Sequence, residues 1–70
     1  MANTEKLEAA IKRAGFQKKD LAKKLGLSAF GLQQKINNVR EFKASEITAL
    51  YDLLKLSSLE EQQQIFLTNL

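Results

Sequence analysis

The chain is predicted to fold as an all-α domain of five short helices, and three observations carry that expectation. It has 70 residues with no proline, and its three glycines stand at positions 15, 26 and 31, so strong helix breakers are few. Apolar residues recur at helical spacing in successive segments, as one buried face of a helix requires. Capping and turn residues separate those segments. The helices are expected over 4–14, 18–25, 29–37, 44–54 and 59–68 of a single domain spanning 1–70. So small a chain buries only about 60% of the surface its unfolded form exposes, which leaves a thin core.

In the first helix Asn3 or Thr4 can cap, Glu5 suits the positive end of the dipole, Leu7, Ala10, Ile11 and Ala14 form one stripe, and Gly15 stops the run. The second presents Leu21, Ala22 and Leu25 on one face and ends at Gly26, which can take the positive φ of a helix terminus. Ser28 can cap the third, where Leu32 and Ile36, four apart, seal the helix onto the same core. Asn37 and Asn38 tolerate left-handed backbone, and Val39 and Phe42 in the following connection are expected to enter the core. The fourth helix carries Ile47, Leu50 and Leu54 as its stripe, flanked by Tyr51 and Leu53. Ser58 and Glu61 have the S-x-x-E form of a capping box ahead of Ile65, Phe66, Leu67 and Leu70.

Composition narrows the chemistry. Without Cys there is no disulfide, thiolate ligand or thiol nucleophile, and without His the commonest metal ligand and general base are missing. No glycine-rich phosphate loop, carboxylate cluster or metal-ligand spacing is present, so neither an enzyme, a cofactor, a metal site nor a small-molecule substrate is expected. The polar opening and the lack of an apolar run of roughly 18 residues point to a cytoplasmic chain with no membrane partner. Charge is uneven: residues 1–40 hold nine Lys or Arg against three acids, net +6, whereas residues 41–70 hold two against five, net −3. A polyanion is the natural partner for the basic portion.

Within that portion, Leu21-Ala22-Lys23-Lys24-Leu25-Gly26-Leu27-Ser28 followed by Leu32 and Ile36 reads as helix, glycine turn, helix. Ala22 is small enough to let the two helices approach closely. The segment Phe16 to Ser28, then Leu32 and Lys35-Ile36-Asn37-Asn38, resembles the phage repressor and Cro type of helix-turn-helix regulator, and Arg40 to Ile47 is similar to the turn and fourth helix of such regulators. The resemblance covers about Leu7 to Leu56 and implies a lambda-repressor-like domain whose third helix enters the major groove while the second crosses the phosphate backbone.

Carried over position by position, it implies base contacts from Ala29, Phe30, Gln33 and Gln34, and phosphate contacts from Lys18, Lys19, Lys35 and Arg40. Either glutamine can offer a donor and an acceptor to adenine, at about 1–3 kcal/mol of discrimination for a good bidentate pair. Lys23 and Lys24 are expected to remain solvated. Two positions depart from the family pattern: Lys18 stands where a glutamine usually opens the second helix, and Lys43 stands where a Ser or Thr usually caps the fourth. The missing cap costs on the order of 1 kcal/mol.

Phe30-Gly31 is unusual on a base-reading helix. Phe30 can pack on a thymine methyl, turn into the core, or anchor a protein partner, and Gly31 implies close backbone approach. Two functions follow as expectations. The first is a Cro-like transcriptional regulator that occupies a double-stranded DNA operator in a bacterial host cell, with no second domain after the helix-turn-helix. The second is an interaction protein, a modulator or antirepressor, that grips another phage repressor through Phe30, Gly31 and Leu32 and alters its DNA binding. The resemblance also implies a weak homodimer supported by the last helix, with Leu67 and Leu70 as its apolar contacts.

Overall fold

A computed structural model describes residues 2–66. Among them are five α-helices and no strand: α1 (Thr4–Arg13), α2 (Lys18–Lys24), α3 (Ala29–Ile36), α4 (Ala44–Leu53) and α5 (Leu59–Phe66). The helix starts fall where the caps place them. Asn3 Oδ1 accepts from the Lys6 N–H at 3.0 Å and Ser28 Oγ from the Gly31 N–H at 2.9 Å. Gly15 and Gly26 take φ of +83° and +72° after α1 and α2, and Asn38 takes +64° after α3, a conformation in which glycine and asparagine cost least.

Leu7, Ala10 and Ile11 of α1, Leu21 and Ala22 of α2, Leu32 and Ile36 of α3, Leu50 of α4 and Ile65 and Phe66 of α5 share one core. Around it α2 packs on α3, and α1 packs on α3 and α5. Phe66 makes edge-to-face contacts with two rings, Phe42 at 5.9 Å and Tyr51 at 5.6 Å between centroids. Such edge-to-face pairs add about 0.5–1.5 kcal/mol beyond area burial. The segment before α1 is stitched down: Asn38 exchanges two 2.8 Å hydrogen bonds with the backbone of Ala2, Thr4 Oγ1 donates to the Ile36 carbonyl at 2.7 Å, and the Asn3 N–H donates to the Ile65 carbonyl. The left-handed turn at Asn38 therefore also holds the amino-terminal segment onto the end of α3.

Three sequence expectations are corrected. Ala14 is exposed, because it is the C-cap of α1 and no longer follows the buried stripe. Val39 is 68% exposed: its N–H returns to the Gln34 carbonyl, which turns the side chain outward, whereas Phe42 does pack on the core. Glu61 does not complete a capping box with Ser58. The Ser58 hydroxyl accepts from the Glu61 N–H at 3.4 Å, but the Glu61 carboxylate reaches Arg13 of α1 at 2.9 Å. At α4 the reverse half operates: the Glu46 carboxylate accepts from the Lys43 N–H at 2.8 Å, while the Lys43 ammonium has no lone pair to offer in return. Leu67 and Leu70, the expected dimer contacts, lie outside the described residues.

Candidate nucleic-acid interface

Helical rotation decides which part of α3 is displayed. Leu32, Lys35 and Ile36 face inward, so Phe30, Gln33, Gln34 and Asn37, at spacings of three and four, share the opposite side with Ala29 at its start. Ala29 and Asn37 are exposed and the two glutamines half-buried. Phe30 is 74% exposed, which removes the core from its three alternatives. Gly31 has a local reason: a Cβ there would meet Ser28 Oγ at 3.1 Å, tight against the hydroxyl that caps the helix.

Lys18, at the start of α2, reaches this face. Its Nζ lies 2.8 Å from the Glu8 carboxylate of α1 and donates to Gln33 Oε1 at 2.7 Å. Gln33 Nε2 in turn donates to Asn37 Oδ1 at 3.0 Å. An ammonium can only donate, so the amide oxygen of Gln33 must face α2 and its nitrogen must face Asn37. The Lys18 and Glu8 side chains are 38% and 36% exposed, where an ion pair contributes at most about 1 kcal/mol. Gln34 has no side-chain hydrogen-bond partner among the described residues, and Lys19 and Arg40 are exposed with no ion pair among them.

Two candidates are removed from the surface. Lys35, expected at phosphate, is 4% exposed, with its Nζ 2.6 and 2.9 Å from the two oxygens of Glu46. Leu32, expected at a protein partner, is fully buried and belongs to the core. Burial tends to raise the Glu46 pKa, but hydrogen bonds from Lys35 and from the Lys43 N–H, with the charges of both lysines, outweigh it and hold the carboxyl below its ordinary value. This pair pins α3 to the first turn of α4 and so fixes the pitch at which the outward stripe is presented.

The displayed set is thus Ala29, Phe30, Gln33 and Gln34, met by Lys18 from α2 and by the Arg40 N–H at the Gln34 carbonyl, with Lys19 exposed beside Lys18 in the chain. Its chemistry is two amides, one aromatic ring and these cations. Glu8, Asn37 and Glu46 escaped the sequence reading. For Lys35 a partial signal existed, since it shares the helical face of Leu32 and Ile36, but nothing local identifies Glu46 as its partner. Glu8 and Asn37 act through the tertiary placement of α1 and of the α3 terminus, which local spacing does not encode. Among the described residues no group of acids could hold a metal ion and no helix is long and apolar enough to cross a membrane. No protein-family model, curated protein or solved structure gives a significant match to the chain.

Proposed function

We propose that the chain is a sequence-specific DNA-binding transcriptional regulator of the phage repressor and Cro type, acting by operator occupancy and not by chemistry. In this reading α2, the Gly26 turn and α3 form a helix-turn-helix, and α3 enters the major groove of double-stranded DNA. The observation that carries it is the outward stripe of α3 with its two glutamine amides, together with the exposed cations Lys19 and Arg40, which have no ion pair among the described residues. Glutamine matches the N6 and N7 atoms of adenine, and the cations supply the phosphate term. A weak dimer assembling on a roughly palindromic site belongs to the same proposal.

Selection from a randomised duplex pool, followed by binding over a salt series, tests it. A recurring site should emerge, and log affinity should fall linearly with log salt at about −0.9 per neutralised phosphate. Weak binding without sequence preference overturns the reading.

One observation favours a second function. A phenylalanine 74% exposed at the start of the displayed helix suits an aromatic pocket on another phage repressor, whose DNA binding this chain would then modulate. With such a repressor in hand, Phe30→Ala should abolish the complex, and full affinity in that variant excludes the site.

A further inference from the structure

Lys18 sits where a phosphate contact is expected, yet its charge is answered inside the protein. We propose that Glu8, Lys18 and Gln33 form an orienting relay: Lys18 is a positioning residue that fixes the Gln33 amide, Glu8 holds Lys18 in place, and the phosphate contacts of this face fall to Lys19 and Arg40. The inference rests on the DNA-binding reading for its use, though the relay belongs to the free protein.

The geometry gives each member one task. Glu8 projects from α1 and brings its carboxylate to 2.8 Å from Lys18 Nζ, so the ammonium is neutralised before any phosphate arrives. The same nitrogen donates to Gln33 Oε1 at 2.7 Å, and Asn37 Oδ1 accepts from Gln33 Nε2 at 3.0 Å. Both ends of the amide are held from opposite sides, and its oxygen cannot exchange places with its nitrogen without turning a donor toward a donor. One lone pair on Oε1 and one hydrogen on Nε2 stay unused, which is the acceptor and donor that adenine requires. A side chain already ordered loses less entropy on binding, so the relay acts as preorganisation. Gln34, with no such brace among the described residues, carries no comparable constraint from them.

Two measurements separate this role from a phosphate contact and from simple scaffolding. In the free protein, side-chain NMR order parameters of the Gln33 amide should be high in the wild type. They should fall to the flexible range, below about 0.6, in Lys18→Met and in Glu8→Ala. The Gln34 amide should not respond. A mobile Gln33 amide in the wild type, or one unchanged in both variants, overturns the relay whether or not the chain binds DNA.

On the selected duplex, Lys18→Met should lose about three- to tenfold in affinity and relax the preference at the base Gln33 meets, while leaving the salt slope unchanged. A slope shallower by about 0.9 with base preference intact makes Lys18 a phosphate contact and overturns the assignment. Wild-type protein that shows no sequence preference defeats the functional reading instead, and the order parameters still decide the relay.

Discussion

Two lysines of this chain each meet a glutamate, and burial sends them to different tasks. Lys35 and Glu46 join α3 to α4 with side chains 5% and 8% exposed, whereas Lys18 and Glu8 join α2 to α1 at 38% and 36%. The inner pair has left water, so each charge depends on the other and the contact is structural. The outer pair keeps its hydration, adds little to stability, and retains a donor for Gln33 on the displayed face. Identical chemistry thus anchors the scaffold on one side of α3 and meets the displayed glutamine on the other.

Breaking the inner pair has the largest expected effect. Lys35→Met leaves Glu46 buried without its cation and should destabilise the fold by about 3–5 kcal/mol in chemical denaturation. Lys35→Met with Glu46→Leu should recover much of the loss, because the penalty arises from the uncompensated charge. A single variant as stable as the wild type would show that the two groups are not buried together.

Next in size is Asn38→Ala. It removes both hydrogen bonds to Ala2 and places a less tolerant residue at φ +64°, for a loss of about 2–4 kcal/mol. Thermal unfolding measures it, and hydrogen exchange should show the loosening concentrated in the segment before α1.

The inner pair also makes stability depend on pH. Folding lowers the Glu46 pKa from its ordinary value of 4.5, so the unfolded chain binds that proton more readily. Its contribution is fully present above 4.5 and is lost as pH falls through the lower folded value. Stability measured from pH 7 down to pH 3 should fall more steeply in the wild type than in Lys35→Met/Glu46→Leu, and equal profiles would contradict the coupling.

The outer pair gives the smallest change in stability. Glu8→Ala and Phe30→Ala should each alter it by less than about 1 kcal/mol, since one breaks a half-exposed ion pair and the other trims an exposed ring. Loss of recognition at unchanged melting temperature would mark both as surface residues with a binding role.

The extent to which the fold is legible in the sequence differs along the same divide. Helix starts at Thr4, Lys18, Ala29, Ala44 and Leu59 all coincide with the expected ones, because Asn3, Ser28, Gly15 and Gly26 act on their own neighbours. Helix ends run one residue shorter than expected through α4, at the caps Ala14, Leu25, Asn37 and Leu54. What local pattern could not supply is pairing at a distance. Lys35 reads as a surface cation until Glu46, eleven positions on, is brought beneath it. Val39 reads as core until the left-handed turn at Asn38 carries it outward. The displayed glutamines were legible as residues on a face, but the brace on Gln33 depends on Glu8 from another helix.

The most direct test of the proposed function is an NMR titration of the labelled chain with the selected duplex. Shifts should concentrate on Lys18, Lys19, Ala29, Phe30, Gln33, Gln34 and Arg40, spare Lys35 and Leu32, and weaken steeply as salt rises. Perturbations centred on α1 and α5, or none that depend on duplex sequence, would contradict the assignment of α3 as the reading helix.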